Sequence, residues 1–428
     1  MSSRSKYIVS PIRTLPAELL AEIFEYTIGD SHVKDAHRVS QVCSNWRQVA
    51  HSTPRLWTQM LDVALCKKGD TFSHCLKAWL ARSAPLPVHI SFTSVDHGDI
   101  NPGILEEVLK VALRWGSLKM PKVATMPLSL VRRLAQCRLD CLEELDLGTI
   151  AEYEDATPVV FTAVPRLRKF SVVNPGTTPI VVPWAQLTEL TLDWDSPVGV
   201  FQALTQCTNL ITVSIQMYGW SRLPEIGQDL PVEFSQLNTF CLDLSMKRPA
   251  FLDYLSTPVL QKLQLFLNGV SWSQTHLTAF QLRAPNITFL EFTHAWLTSD
   301  DLVAAVRHAP LLTHLKLTGC RKCFKDEFIH ALHYHDDATP LAPCLQSLEV
   351  LGSVMNFTED VLAGMIASRW WTDIELATNT VRPAAARWTS VVLQFGGFGH
   401  NQYHFSPRFA DIVKDMPSDV LKYRKDTT

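Results

Sequence analysis

The side chains with the most chemical potential in this sequence are Cys320 and Cys323, with His330, His333 and His335 close behind them. A Cys-x-x-Cys pair followed by histidines is a donor set that suits tetrahedral zinc. However, Phe324–Leu332 has the apolar spacing of an amphipathic helix, which gives that stretch a packing role, and no metal is expected. Gly396-Gly397-Phe398-Gly399 is rich enough in glycine to approach a phosphate, yet no Lys-Ser or Lys-Thr pair completes a phosphate-binding loop, so it reads as a turn. Neither a Gly-x-Ser-x-Gly elbow nor a His-Glu-x-x-His pair occurs. Ser, His and Asp are plentiful, but none falls at a spacing with a mechanism. The expectation is a protein without catalytic residues and without a cofactor.

Binding therefore takes the place of chemistry, and composition limits what can be bound. A chain of 428 residues exceeds one ordinary domain and suits two or three. Its 46% hydrophobic and 19% charged residues exclude intrinsic disorder. Lys and Arg total 39 against 42 Asp and Glu, a net charge of −3 that argues against a dedicated nucleic-acid binder. Ten cysteines (Cys43, Cys66, Cys75, Cys137, Cys141, Cys207, Cys241, Cys320, Cys323 and Cys344) are scattered in the manner of reduced thiols rather than a disulfide framework. No apolar run approaches the ~18 residues of a membrane span, and the polar first ten residues lack the apolar core of a signal peptide. A cytoplasmic or nuclear address is expected, with no membrane partner.

The first sixty residues are built from short helices. Leu15-Pro16 opens a helix whose Leu19, Leu20, Ile23, Phe24 and Ile28 recur at helical spacing, and proline suits a first turn because its missing N–H would be unsatisfied there anyway. After a polar connection, Val39, Val42, Cys43, Trp46 and Val49 or Ala50 form the stripe of a second helix. Thr53-Pro54 is an N-cap followed by proline at the first position of a third, shorter helix carrying Leu56 and Trp57. Three such helices bury little surface alone, so this many large apolar residues imply packing on a neighbour, either the rest of the chain or another protein.

The blocks LPAELLAEIF, RVSQVCSNWRQVA and PRLW, in this order, resemble the F-box motif over roughly residues 13–60. The connection between Gly29 and His37 is longer than in many members. The resemblance implies docking to a Skp-type adaptor and, through it, a cullin scaffold in a ubiquitin ligase. On that basis Leu15, Pro16, Leu19, Ile23, Phe24, Val42, Cys43, Trp46 and Trp57 divide between the module's own core and the adaptor interface, with the Leu15-Pro16 edge the firmest interface expectation.

Beyond residue 70 the pattern L-x-x-L-x-L recurs with conservative substitutions. It begins at Leu142, Leu167, Leu187, Leu210, Leu237, Leu260, Ile287, Leu312 and Leu345, with an earlier copy at Trp115. The mean spacing, about 26 residues, is that of leucine-rich repeats. Each copy alternates apolar and variable residues as a strand does, and amphipathic stretches at Ile104–Leu113, Leu302–Val306, Phe324–Leu332 and Val361–Ile366 read as helices between copies. Cys320 falls where such repeats often place an inward Asn or Cys. The whole chain resembles an F-box protein with leucine-rich repeats, and its uneven repeats and abundant tryptophans are similar in style to the large fungal F-box family.

The expected fold class is α/β: a small helical module followed by a curved solenoid with a parallel sheet on its concave face. The expected boundaries are a disordered N-terminus at 1–12, the F-box at 13–60, a linker and capping unit at 61–115, the solenoid at 116–395, and a cap with a frayed tail at 396–428. The outward strand positions would hold Glu144, Asp146, Glu189, Asp193, Asp243, Glu291 and Glu349 against Lys169, Lys262 and Lys316. That acidic bias suits either a basic patch on a target protein or a merely solvated sheet face. Trp194, Tyr218, Trp220, Phe266 and Trp296 follow strands and would either anchor a partner or fill gaps between uneven repeats. The function expected is that of a non-enzymatic substrate receptor in a Skp–cullin–F-box ubiquitin ligase. The alternative is a repeat-based scaffold with no ligase role.

Overall fold

A computed structural model describes residues 11–28, 34–66, 70–94, 100–120, 125–150, 157–173, 178–194, 196–217, 231–244, 249–268, 272–353, 356–378, 383–395 and 403–423. The chain forms two compact units, Met1–Trp184 and Ala185–Thr428.

In the first unit, helix α1 (Ala17–Ile28) follows Pro16, whose carbonyl accepts from the Leu20 amide at 3.0 Å. Leu20, Phe24 and Ile28, spaced by four, turn inward. The stripe expected to form one second helix is broken in two, α2 (Lys34–Ser40) and α3 (Ser44–Ser52). Cys43 breaks it: its backbone is extended (φ −159°), and its thiol accepts from the Trp46 amide at 3.5 Å as an N-cap. Gln41, Val42 and Cys43 consequently sit outside any helix. The closing turn, Pro54–Trp57, buries Leu56 and Trp57.

Trp57 fixes this helical module to the helix Asp70–Arg82. Its indole N–H donates to the Ala50 carbonyl at 2.7 Å, and its ring meets Trp79 of that helix edge-on at 4.8 Å. The guanidinium of Arg82, at the helix's end, stacks 4.7 Å from the same ring. Parallel strands run Leu61–Ala64, Val88–Ser94, Trp115–Lys119, Glu144–Ile150 and Lys169–Val173, each hydrogen-bonded to the next. The ladder thus starts at Leu61, within the stretch expected to be a linker and cap.

The second unit continues the pattern with nine parallel strands. They are Glu189–Asp193, Thr212–Met217, Thr239–Leu244, Lys262–Phe266, Phe289–Thr293, His314–Thr318, Ser347–Ser353, Ser390–Phe395 and Leu421–Lys422. The last two lie beyond the motif copy that begins at Leu345. Five such strands in the first unit, after its helical N-terminal region, and nine in the second have the parallel pairing of a leucine-rich-repeat architecture.

Register explains the motif. In every copy from Leu142 onward the first apolar residue is buried ahead of its strand, and the next two alternate inward, as in Leu142, Leu145 and Leu147 or Leu312, Leu315 and Leu317. Because strands pair in register, Leu190, Val213, Phe240, Leu263, Leu290, Leu315, Leu348 and Val391 form one continuous apolar row. Each such side chain contributes roughly 1.5–3 kcal/mol on burial. Several crossovers are helical. Gln274–Leu282, Ser299–Arg307, Asp326–Leu332 and Glu359–Ser368 pack side by side in sequence order. In the shortest spacing, from Leu167 to Leu187, the described residues after the strand Lys169–Val173 form the two-residue strand Ile180–Val181 and a short 3-10 turn. The helix expected at Ile104–Leu113 ends at Leu109 and begins at Pro102, with Asn101 capping it.

Candidate protein-interaction sites

Helix α1 has more apolar surface than its own module covers. While Leu20, Phe24 and Ile28 face the core, Leu19 is 47% exposed, Ile23 41% and Tyr26 93%. Together with Leu15, Glu22 and Thr27 they line a shallow groove of about 330 Å³. Pro16 is also exposed, as are Val42, itself 60% exposed, and Cys43 in the break between α2 and α3. Of the residues expected to divide between core and interface, Phe24 and Trp57, both about 1% exposed, fall in the module's core. Trp46 is half-buried with its ring 4.8 Å from Phe24, where it supports the helix from beneath. Tyr26 was not among the expected residues. The signal for it was present, because Leu19, Ile23 and Tyr26 recur at four and three residues, a second helical stripe beside the first.

The outward face of the strands is polar, and several of its charges are engaged by neighbouring groups. In the first unit Glu144 pairs with Lys119 at 3.0 Å, and Asp146 accepts from the Gly148 amide at 3.0 Å. In the second unit Gln216 donates to Asp243 at 3.2 Å, and burial pushes the Asp243 carboxyl above its ordinary range. Glu291 departs most from expectation. It is only 4% exposed, accepts from Gln264 at 2.6 Å, and pairs with Lys316 at 3.1 Å. Parallel register places Gln264, Glu291, Lys316 and Glu349 on one row, so long side chains reach sideways and cover the shorter ones. Lys262 lies 4.8 Å from the Phe289 ring, which stacks on His314. Glu189 and Asp193 are half-buried on the same face.

The aromatics at strand exits divide. Trp194 is half-buried against Gly199, where a Cβ would collide with the indole, so the glycine lets the ring lie on the first turn of Pro197–Gln206. Phe266 is half-buried. Trp296 is 61% exposed, with the Lys322 ammonium 5.4 Å from its ring centre. Tyr218 and Trp220 lie outside the described residues, as does Gly396–Gly399.

Cys320 and Cys323 are both buried, and the Cys320 thiol donates to the Phe292 carbonyl at 3.4 Å. Its hydrogen bond with Cys320, and then burial, push the Cys323 thiol up. His330 lies exposed on the helix Asp326–Leu332, and His333 stacks on His335 at 4.5 Å. Among the described residues no group of three His, Cys, Asp or Glu side chains converges to hold a metal ion, and no helix is long and apolar enough to cross a membrane.

Three comparisons bear on these features. The F-box-like family model matches residues 12–62. Among solved structures, an internalin from Listeria monocytogenes is similar at a TM-score of 0.35 and 13% identity, over 81% of this chain and 93% of that one. The Toll–Spätzle complex of Drosophila is similar at 0.28 and 11%, over 79% and 52%. No curated protein matches in sequence. Residues 12–62 are therefore an F-box-like domain, set ahead of a parallel repeat ladder.

Proposed function

We propose that this protein is a substrate-recognition subunit of a Skp–cullin–F-box ubiquitin ligase. Leu15, Pro16, Leu19 and Ile23, joined by Tyr26, Val42 and Cys43, dock a Skp-type adaptor that connects to a cullin. The repeat ladder holds a target protein. The observation that carries this reading is the strip of exposed aliphatic side chains along α1 inside an F-box-like domain, because contiguous apolar surface of this kind marks a partner site. The chain contributes no reacting side chain. Its role is to raise the local concentration of target lysines near a ubiquitin carrier.

On the ladder, Glu189, Asp193 and Asp243 in the second unit, with Trp194 and Phe266 near them in sequence, are the residues proposed to meet a basic patch on the target. Glu144 and Asp146 offer a similar but separate pair in the first unit. Glu291 contributes indirectly by holding Gln264 and Lys316 in place.

The test is co-purification of the full chain with a Skp-type adaptor, comparing wild type with Leu15→Asp plus Pro16→Ala. Both positions lie on the surface or half-buried, so the variant keeps its circular-dichroism spectrum and melting temperature while adaptor capture is lost. Undiminished capture would overturn the reading. Adaptor capture without cullin recruitment would instead establish a repeat-based scaffold with no ligase role.

A further inference from the structure

We infer that the turns leaving strands Phe289–Thr293 and His314–Thr318 form a second binding site, one that takes an acidic segment of a protein partner. It stands independently of the adaptor reading. Three observations converge on these turns.

The first is backbone conformation. His294, Gly319 and Gly352 occupy the same register position at three successive strand exits, and all have positive φ, at 52°, 63° and 61°. This left-handed region costs glycine nothing and other residues something. His294 is the one described non-glycine residue that adopts it. Its ring lies over Gly319, where a Cβ would overlap the imidazole. Gly319 thus supplies the space and His294 accepts the strain. The hydrogen bonds from His294 N to Thr318 O and from Gly319 N to Leu351 O, each 2.8 Å, form with or without an imidazole at the first position. Glycine would serve the backbone better, so the ring is kept for what it presents outward. Strain of this sort concentrates where a side chain must be aimed.

The second observation is Trp296, two residues on, which is among the most exposed large hydrophobic side chains of the described residues. The Lys322 ammonium packs against it, which holds the indole in place while leaving most of its surface free. The third is charge. Arg321 and Lys322 are exposed and adjacent on the turn after Gly319. The acids around them are occupied elsewhere. Asp301 closes the capping box with Thr298, Asp326 accepts from Thr358 N and Oγ1, and Glu327 faces Ser299. Asp300 and Glu327 stand exposed on the first turns of the two neighbouring helices.

A flat tryptophan, an arginine and a lysine within one pair of turns is the composition of an interface hot spot. Their shared sign selects carboxylates, with Arg321 and Lys322 receiving the charges and Trp296 covering an aliphatic or aromatic neighbour. This site differs in sign from the acidic outward face of the same unit, so one partner could not use both with the same patch.

The experiment titrates the full chain into a fluorescein-labelled oligoglutamate peptide and reads anisotropy. Wild type binds, and added salt weakens binding. Arg321→Glu with Lys322→Glu weakens it at least about tenfold, and Trp296→Ala by about tenfold. Arg138→Glu, a reversal in the other unit, leaves it unchanged. His294→Gly separates aiming from packing: it weakens binding while the melting temperature stays level or rises. The proposal is overturned if wild type does not bind, if Arg138→Glu weakens binding as much as the double reversal, or if only a phosphoserine version of the peptide binds. A lower melting temperature with unchanged affinity in His294→Gly would overturn the aiming role of the strained turn.

Discussion

Helix α1 and strand Phe289–Thr293 each carry one buried face, yet they leave opposite kinds of side chain on the other. In α1 the second face is aliphatic and open, with Leu19 and Ile23 exposed beside buried Leu20 and Phe24. In the strand it is polar and closed, with Glu291 covered by Gln264 and Lys316 from the neighbouring strands. The difference is geometric. The neighbours of α1 within its own module cover one stripe only, so apolar residues on the other stripe stay exposed. A strand in a parallel ladder has a neighbour about 4.8 Å away on each side, so a polar residue there is satisfied within the chain. Exposed apolar residues on the helix are therefore the stronger pointer to a partner, and outward charges on the strands must be discounted for lateral pairing before they are read as a binding face.

Four substitutions sharpen or break this contrast. The largest effect is expected on the buried face of α1. Phe24→Ala removes a ring packed on Trp46 and should cost about 3–5 kcal/mol, read from the denaturant midpoint. A cost as small as a surface substitution would mean that Phe24 is not core.

Next comes the open face of the same helix. Leu19→Asp with Ile23→Asp should lower adaptor capture about 100-fold or more while stability shifts by less than about 1 kcal/mol. If the double variant unfolds instead, the two faces of α1 are not separable as described.

A smaller loss is expected on the ladder. Lys316→Met leaves the Glu291 carboxylate buried without its cation, at a cost of roughly 1–3 kcal/mol. Adding Glu291→Leu should recover much of that loss, because removing both partners leaves no buried charge. A double variant as unstable as the sum of its parts would argue against lateral pairing as the cause.

The smallest effect concerns Asp243. Burial raises its carboxyl pKa in the folded state, so the folded chain holds this proton to higher pH than the unfolded chain does. Its stabilising contribution is therefore complete below the unfolded value, about 4, and is lost as pH rises through the raised one. Asp243→Asn should raise stability slightly at neutral pH and flatten that part of the curve. Melting temperature against pH for both proteins checks the sign.

The ladder could be read almost residue by residue. The fourth and sixth motif positions alternate with a period of two through the strand, the first sits buried just ahead of it, and a parallel stack buries all three. The strands Leu61–Ala64 and Leu421–Lys422 are too short to carry the full motif, and Ser390–Phe395 carries it in the substituted form Trp388-x-x-Val391-x-Leu393. The site was less legible. Spacing placed Leu19, Leu20, Ile23 and Phe24 in one apolar set, but spacing is silent on which stripe meets the module's own core.

What the sequence determined alone was the succession of a helical module and a parallel repeat stack, because both depend on periodicity, which is local. Three features were decided by the tertiary structure. Cys43 became a cap instead of part of a helix, Glu291 a buried pair instead of a surface acid, and His294 a strained residue over a glycine one strand away. Each depends on what lies beside a residue in space, at sequence separations of 25 or more in the last two cases, and no local pattern carries that information.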